Sequence, residues 1–479
     1  MTSDLNTEND FGLAIGDETL RTTQSMPVLD PATEETFAQA PRADRGDLDR
    51  AVASAQQAFR TWAHTAHEER AALVSRFADA IEAQAEPLAR LLTLEQGKPL
   101  KDAAREVAGL VNWLRAAAGF ELPHLVHEDT EHRYSETRHV PVGVVAAIAP
   151  WNYPLLLAAF KLGPALVTGN TVVLKPSPFT PLTSLKVGEI AQSVLPPGVL
   201  NVISGGDELG PWLTQHAGID KIAFTGSTAT GRAVMRSAAD TLKRLTLELG
   251  GNDPAIVMHD VDPEALAPEL FWACFGNSGQ VCVAAKRVYI HTDIYDQLRD
   301  ALVSFAGQVK LGNGLEPDTQ LGPINNAKQY DALLSLREEC ARAGLRFACG
   351  EKVPDRPGYF LPPAIIDDPP EDARIVQEEP FGPIVPLMRF TDYEDAVKRA
   401  NASPYALGAS VWAQDEEAGW SVGSQLASGN VWVNECRPLS PHVPFAGHRQ
   451  SGFGVENGLE GLLEYTVPKT MSRKPLLRG

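Results

Sequence analysis

The sequence predicts an α/β fold with two lobes, and three features of the chain lead to that prediction. Residues 47–114 carry apolar side chains at helical spacing, for example Phe77 and Ile81 four residues apart. From about Val142 the chain changes to short β-branched runs separated by amphipathic segments, and a second series of such runs begins near Pro254. Alternating strands and helices predict a parallel sheet with helices on both faces, an architecture that binds nucleotides at the carboxyl ends of its strands.

The individual elements follow in chain order. The helical opening breaks at Gly97-Lys98-Pro99, because glycine and proline interrupt a helix, and a second helical stretch follows. The polar segment 126–138 alternates in polarity, which predicts an edge strand or an excursion toward a partner subunit. The first strand series is 144–148, 171–174, 199–203 and 221–224. The second series is 255–258, 287–290, 384–387, 411–412 and 431–433.

Length and composition favour a soluble enzyme. A chain of 479 residues exceeds what one hydrophobic core usually serves, so we expect two or three subdomains. The net charge of −19 disfavours binding to nucleic acid or to an anionic membrane. No stretch approaches about 18 uninterrupted apolar residues, and the acidic start does not resemble a secretory signal. The expected location is the cytoplasm.

Cysteine and histidine usage predicts free thiols and no metal site. The cysteines are few, odd in number and without a Cys-x-x-Cys pair, as expected in a reducing compartment. They stand at positions 274, 282, 340, 349 and 436. The eleven histidines show neither a His-x-x-x-His pair nor a cluster with cysteine at the spacing of metal ligands.

A Gly-Gln-Val-Cys turn that ends at Cys282 and a Glu-Leu-Gly-Gly segment that begins at Glu248 are the most informative motifs. A thiol on a tight glycine turn is a candidate for covalent catalysis, because the thiol is strongly nucleophilic near neutral pH. Its companion carboxylate is a candidate activator of water. For an isolated cysteine, however, packing in the core is the commoner role.

Two segments are candidates for phosphate or ribose binding. Gly226 and Ser227 follow a strand and precede a helix, where backbone amides and a hydroxyl can meet a phosphate. The P-loop and Gly-x-Gly-x-x-Gly patterns are both absent, so an ordinary strand-to-helix turn is the alternative. Lys175 ends an apolar strand and precedes prolines, so it can bind a ribose or phosphate, or extend its ammonium group to solvent.

Two proline-stiffened loops complete the set. Asn152 lies in the rigid turn Pro-Trp-Asn-Tyr-Pro, which can hold an amide N–H where an oxyanion develops. Alternatively, this asparagine caps its own turn. Glu379 and Phe381 place a carboxylate beside an aromatic ring, although a surface acidic pair is the default interpretation of Glu378 and Glu379.

Together and in this order, these segments resemble the aldehyde dehydrogenase superfamily, in its NAD(P)-dependent, non-acylating branch. The likeness runs from Asp30-Pro31 to Phe453-Gly454, nearly the whole chain. It implies a Rossmann-like cofactor domain of residues 1–118 and 142–250, and an α/β catalytic domain of residues 251–450. It further implies a small β oligomerisation extension of residues 119–141 and 451–479, and a homodimer or homotetramer.

The resemblance also implies roles for individual residues. Cys282 would be the nucleophile, Glu248 the general base, and Asn152 with the Cys282 backbone N–H the oxyanion hole. The implied cofactor residues are Trp151, Lys175, Ser177, Pro178, Gly226, Ser227, Leu249, Glu379 and Phe381. The implied substrate tunnel consists of Tyr153, Leu157, Phe160, Val281, Val283 and Phe445. Lys161 and Glu456 match positions that the family uses in proton relay.

The chain departs from many NAD-preferring members after its Lys-Pro-Ser segment, where it has Pro178 instead of a ribose-binding glutamate. NAD with possible use of NADP is therefore expected. The apolar tunnel implies a medium aliphatic or aromatic aldehyde, and Glu248 favours hydrolysis over acyl transfer to a thiol. A semialdehyde, bound through Arg437, or an amino-aldehyde is the alternative. A further alternative, an exposed Arg437 without a role in binding, stays open. So does an enzyme of another class, a thiol esterase that needs no cofactor.

Overall fold

The computed structural model describes residues 11–474. The parts of the predicted cofactor domain and oligomerisation extension that comprise residues 1–10 and 475–479 lie outside this range. Within residues 11–474 the strands are β1 (Leu13–Ile15), β2 (Glu18–Leu20), β3 (Ser25–Leu29), β4 (Thr36–Pro41), β5 (His124–Asp129), β6 (Tyr134–Pro141), β7 (Val144–Ile148), β8 (Thr171–Lys175), β9 (Leu200–Val202), β10 (Lys221–Thr225), β11 (Arg244–Glu248), β12 (Asp253–Val257), β13 (Ala285–His291), β14 (Arg346–Cys349), β15 (Ala364–Asp367), β16 (Ile384–Phe390), β17 (Tyr405–Ala406), β18 (Gly408–Trp412), β19 (Asn430–Val433), β20 (His448–Arg449), β21 (Gly452–Phe453) and β22 (Thr466–Arg473).

The helices of the same residues alternate with these strands after a helical opening. They are α1 (Arg45–Trp62), α2 (His67–Glu82), α3 (Ala85–Gln96), α4 (Leu100–Ala118), α5 (Pro154–Val167), α6 (Leu182–Gln192), α7 (Leu209–Gln215), α8 (Thr228–Ala239), α9 (Pro263–Phe275), α10 (Tyr295–Ala306), α11 (Ala327–Arg342), α12 (Arg374–Gln377), α13 (Tyr393–Asn401), α14 (Glu416–Gly423) and α15 (Gly458–Leu463). None of them is long and apolar enough to cross a membrane.

The first sheet has the strand order β2-β1-β9-β8-β7-β10-β11-β21. Its five central strands, β9 to β11 in this order, are parallel, while the strands at both edges run antiparallel. Every residue of β7, β8 and β10 is buried, which explains their continuous apolar runs, because helices cover both faces. The short strands β1 to β4 were not predicted.

The second sheet has the order β14-β15-β16-β13-β12-β18-β19, and only the β14–β15 pair is antiparallel. It contains every strand of the second predicted series. The predicted α/β fold class is thereby confirmed, as is the break at Gly97, where α3 ends in a left-handed residue with φ 97°.

A third, three-stranded sheet has the order β22-β6-β5. It confirms that the polar segment 126–138 forms strand structure. The strand β21 belongs to the first sheet, where it pairs with β11, although residues 451–479 were expected to form part of the oligomerisation extension. Within residues 451–474, β22 is the one strand that joins the three-stranded sheet.

Candidate active site

The predicted site residues of the first lobe lie at the carboxyl edge of its parallel sheet. Trp151 and Asn152 follow β7, Lys175 ends β8, Gly226 follows β10 and Glu248 ends β11. Because β8, β7, β10 and β11 are neighbours in this order, residues far apart in sequence meet at one edge.

A buried ion pair holds the turn that carries Asn152. The Lys98 ammonium group lies 2.6 Å from Glu106 and donates a hydrogen bond of 2.8 Å to the carbonyl of Asn152. Glu106 also accepts hydrogen bonds from the backbone N–H groups of Leu155 and Leu156 in the first turn of α5. Carboxylates at a helix N-terminus satisfy amides that have no partner within the helix. The turn is thus fixed at both ends.

The turn before Cys282 adopts an unusual backbone. Asn277, Ser278 and Gly279 all lie in the left-handed region, with φ values of 52°, 54° and 72°. Non-glycine residues persist there only when their surroundings hold them. The Ser278 hydroxyl donates a 2.6 Å hydrogen bond to the Gly322 carbonyl. A side chain at Gly279 would collide with the carbonyl of Gly382, so glycine is required at this position.

These two turns meet at one cavity of about 330 Å³. The side-chain amide of Asn152 donates a 2.9 Å hydrogen bond to the carbonyl of Gln280, and its second N–H stays available for another acceptor. Nine of the predicted residues line this cavity: Trp151, Asn152, Leu157, Gly226, Ser227, Leu249, Cys282, Glu379 and Phe381. Lys175, Ser177 and Pro178 are not among its lining residues.

The cavity has features that suit a dinucleotide. Ser227 is the N-cap of α8, and its hydroxyl accepts a hydrogen bond from the Thr230 N–H. Backbone amides at such a helix start favour a phosphate. The rings of Trp151 and Phe381 meet edge to face at 5.3 Å and give the cavity an apolar, aromatic wall. Outside the lining of this cavity, Lys175 at the end of β8 is also buried, and burial lowers its pKa to about 8.

An apolar cluster surrounds Cys282 with part of the predicted tunnel: Tyr153, Val281, Val283 and Phe445. Phe445 also lines a separate cavity of about 360 Å³ with Trp432 and Leu439. Phe160 is not part of the apolar cluster around Cys282. Its ring stacks on Trp113 instead, with the ring centroids 5.3 Å apart. Leu157 faces the cavity that holds Cys282.

Burial controls the charge of both candidate catalytic groups. It raises the pKa of Glu248 well above its ordinary value, and nearby Glu456 adds to this effect while Lys161 opposes it. Among residues 11–474 neither carboxylate oxygen of Glu248 forms a hydrogen bond of ordinary geometry. Burial likewise raises the pKa of the Cys282 thiol to about 12, and Lys286 opposes that shift. Burial therefore favours the neutral form of both groups.

Comparison with known proteins identifies the family. The model of the aldehyde dehydrogenase family matches residues 19–471. The chain belongs to this family. It is 44% identical over 443 residues to a putative aldehyde dehydrogenase of Gibberella fujikuroi, covering 92% of this chain and 94% of that protein. It is 38% identical to phenylacetaldehyde dehydrogenase of Pseudomonas fluorescens, covering 94% and 92%. The solved NAD+ complex of an aldehyde dehydrogenase from Bacillus cereus is 37% identical, with a TM-score of 0.95 and 97% of each chain covered.

Beside the cavity of this aldehyde dehydrogenase family member lies a buried network that includes Lys161 and Glu456. Lys161 donates hydrogen bonds of 2.9 Å to Glu456 and 2.8 Å to the Thr225 hydroxyl. Both charged side chains are fully buried. The network lies close enough to Glu248 to influence its pKa from both directions. A proton-relay role for the pair stays a prediction.

Sequence reasoning missed three charged residues of this dehydrogenase fold. Lys98 was interpreted only as part of a helix break, and Asp253 and Lys286 were not singled out. Lys286 stands four residues after Cys282, and this spacing was the signal that could have identified it. Within the described range no group of three or more histidine, cysteine or acidic residues could hold a metal ion.

Proposed function

We propose that the protein oxidises an aldehyde to a carboxylic acid with NAD, using Cys282 as nucleophile and Glu248 as general base. The observation that carries this proposal is the shared cavity: Cys282 and Asn152 line it together with Leu249, the residue that follows Glu248. The NAD+ complex of the Bacillus cereus relative supports the choice of cofactor.

Covalent attack is the first step. The Cys282 sulfur, in its thiolate form, adds to the aldehyde carbon, and negative charge develops on the former carbonyl oxygen. The free N–H of the Asn152 amide and the backbone N–H of Cys282 donate to that oxygen. Because hydrogen bonds hold both turns before substrate arrives, these donors need no reorientation, and one such donor is typically worth about 3 kcal/mol of barrier.

The residues of the cavity fit the cofactor at the Ser227 helix start and at the aromatic wall. Trp151, Leu249 and Phe381 would contact the nicotinamide end, with Glu379 at its ribose. Gly226 and Ser227 would hold the pyrophosphate, and Lys175, Ser177 and Pro178 the adenosine end. When bound, NAD accepts the hydride that leaves the substrate carbon.

Hydrolysis completes the reaction. The acyl group is then held on Cys282 as a thioester, and Glu248 in its ionised form removes a proton from the attacking water. Collapse of the second tetrahedral adduct returns the thiolate and releases the carboxylic acid. A buried carboxylate with a raised pKa is a stronger base than an exposed one once it is ionised.

The substrate that fits best is a medium aliphatic or aromatic aldehyde. The apolar cluster of Tyr153, Val281, Val283 and Phe445 around Cys282 offers contact surface to an uncharged chain or ring. The relative from Pseudomonas fluorescens is named for phenylacetaldehyde, an aromatic aldehyde. Pro178 stands where many NAD-preferring family members have a glutamate, whose carboxylate would repel the 2′-phosphate of NADP. We therefore expect turnover with NADP to be slower than with NAD but not absent.

The test is nicotinamide reduction by the purified protein with NAD and NADP over a panel of aliphatic, aromatic, amino- and carboxy-aldehydes. We expect absorbance at the wavelength of reduced nicotinamide to rise most with NAD and the uncharged aldehydes. Ester cleavage that needs no nicotinamide, without any aldehyde turnover, would instead identify a thiol esterase.

Arg437 favours a second substrate class, aldehydes that carry a carboxylate. Its side chain is partly buried, lies against Gly276 and donates a 2.7 Å hydrogen bond to the Trp272 carbonyl. The structure shows no carboxylate within ion-pair distance of it among residues 11–474. Burial raises the pKa of Tyr153, a member of the cluster around Cys282, to about 12, and the charge of Arg437 opposes that shift. The arginine thus points inward, contrary to the exposed interpretation.

Replacement of Arg437 separates the two substrate classes. If a carboxylate binds there, Arg437→Met raises KM for a carboxy-aldehyde about tenfold or more, since a charged hydrogen bond is worth about 1.5–3 kcal/mol, and leaves an uncharged aldehyde of equal length unaffected. Arg449→Met, a change at an exposed arginine, is the control. Equal effects on both aldehydes would leave the apolar substrate class as the assignment.

We propose that the chain acts as a homodimer or homotetramer in the cytoplasm. The three-stranded sheet presents apolar side chains to solvent, with Leu125, Val126 and Met471 exposed by 55%, 50% and 44%. Val126 and Met471 pair with Glu136 from either side, so both expose apolar surface on the same face of the sheet, as is typical of an interface between proteins. We therefore propose this sheet as the site of the subunit contact.

A further inference from the structure

A buried lysine lies directly behind the candidate nucleophile. Lys286 is the second residue of β13, four residues after Cys282, and only 3% of its side chain is exposed. Its ammonium group donates a hydrogen bond to the backbone carbonyl of Cys282. The lysine thus closes the turn that carries Cys282, and Cys282 lines the cavity.

The same ammonium group reaches the cofactor side of the cavity. It lies 3.2 Å from Oε1 of Glu379, and that oxygen also accepts a 3.2 Å hydrogen bond from the backbone N–H of Gly251. A side chain at Gly250 would collide with the Glu379 carboxylate, so the carboxylate is packed against the segment that follows Glu248. Glu379 lines the cavity together with Cys282.

A second buried carboxylate, Asp253, belongs to the same charge cluster. A side chain at Gly251 would meet both an Asp253 oxygen and the carbonyl of Cys282, which places all three groups together. Burial raises the pKa of Asp253 to about 7, and Lys286 is the largest influence that opposes the shift. The charged groups that act on the Cys282 thiol are Lys286, Asp253, Glu379 and Glu248, and only Lys286 among them is basic.

We propose that Lys286 is a positioning residue that ties the Cys282 turn to Glu379, so that one buried ammonium group holds both the nucleophile and the carboxylate at the cofactor cavity. Desolvated charges of this kind interact strongly because little water screens them. This inference rests on the proposed function, since it takes Cys282 as the nucleophile, but its test needs no turnover.

The charges predict opposite effects for two substitutions. Loss of the Lys286 cation raises the pKa of the Cys282 thiol, whereas loss of the Glu379 anion lowers it. Below the pKa the alkylation rate of a thiol is proportional to its thiolate fraction, so one pKa unit changes the rate about tenfold. We expect Lys286→Met to slow alkylation about tenfold and Glu379→Gln to accelerate it severalfold.

The experiment measures iodoacetamide alkylation of the whole protein between about pH 7 and pH 9.5, with the Cys282 peptide followed by mass spectrometry. This assignment separates Cys282 from the other four cysteines. The double variant should return toward the parent rate, because the two charge effects oppose each other. A merely structural loosening of the turn would accelerate alkylation in both single variants.

Lys243→Met is the matched control, since Lys243 is buried but belongs to the first lobe and bonds to Thr241. We expect its alkylation profile to coincide with that of the parent. Superimposable profiles for the parent, Lys286→Met and Glu379→Gln would overturn the proposal. If Lys286→Met fails to fold, an unchanged rate in Glu379→Gln still overturns it. Full aldehyde turnover in Cys282→Ala would refute the proposed function. It would leave the electrostatic coupling of Lys286 to Cys282 intact, because alkylation is measured without turnover.

Discussion

Replacement of Cys282 by alanine should lower kcat/KM for every aldehyde by more than about 10⁴-fold. Without the sulfur no covalent adduct forms, so the hydride-transfer step loses the intermediate from which hydride leaves. Asn152 and the cavity stay in place, because the hydrogen bonds that fix the turns come from Gln280, Ser278 and Lys98. Steady-state reduction of NAD, normalised to folded protein, measures the effect.

Cys340→Ala is the control for this substitution. Cys340 is buried, at 3% exposure, but it packs in the core of the second lobe and does not line the cavity. Its loss should alter stability and leave the rate within a few-fold of the parent. Retention of more than a tenth of parent activity in Cys282→Ala would show that another group is the nucleophile.

The sequence predicted the site best where residues belong to strand ends. Trp151, Lys175 and Gly226 each follow or end an apolar run, and parallel strands carry such positions to one edge of a sheet. The spacing of a motif along the chain is therefore enough to place its residue. The prediction for Cys282 rested on the glycine turn before it. The backbone at Gly279 is left-handed and leaves no room for a side chain, so this turn requires glycine.

The residues that hold these motifs could not be predicted in the same way. Lys98 reaches the Asn152 carbonyl from 54 positions away, and Lys286 in β13 meets Glu379 in the loop after α12. Such contacts depend on how distant segments of the same lobe pack against each other, and no local pattern encodes that. The short edge strands β1 and β2 were missed because three residues give too little periodicity to distinguish a strand from a loop.

The inward direction of Arg437 was hidden for a related reason. The residue has a φ of 61°, so the chain reverses locally and turns its side chain toward Trp272. Left-handed backbone at a non-glycine residue is rare and is not encoded by its residue type. The sequence alone therefore favoured an exposed arginine.

Glu248→Gln should separate the two halves of the reaction, with the second-largest effect, about 10²–10⁴-fold on steady-state turnover. The amide cannot remove a proton from water, so acyl-enzyme formation continues and its hydrolysis stalls. Rapid mixing with NAD and aldehyde should therefore give a burst of reduced nicotinamide close to one equivalent per Cys282, followed by a slow phase. In the parent the hydrolytic step should accelerate as pH rises through the raised pKa of Glu248, because the ionised form is the base.

The pH dependence of the slow phase distinguishes a base from a structural carboxylate. In Glu248→Gln the acceleration with pH should disappear, leaving only the shallow contribution of hydroxide. Glu339→Gln, which changes a partly exposed carboxylate paired with Arg374, should keep the parent burst and the parent pH profile. A Glu248→Gln enzyme without a burst would place the defect before acylation. Glu248 would then act on the thiol of Cys282, whose pKa of about 12 leaves little thiolate at neutral pH, rather than on water.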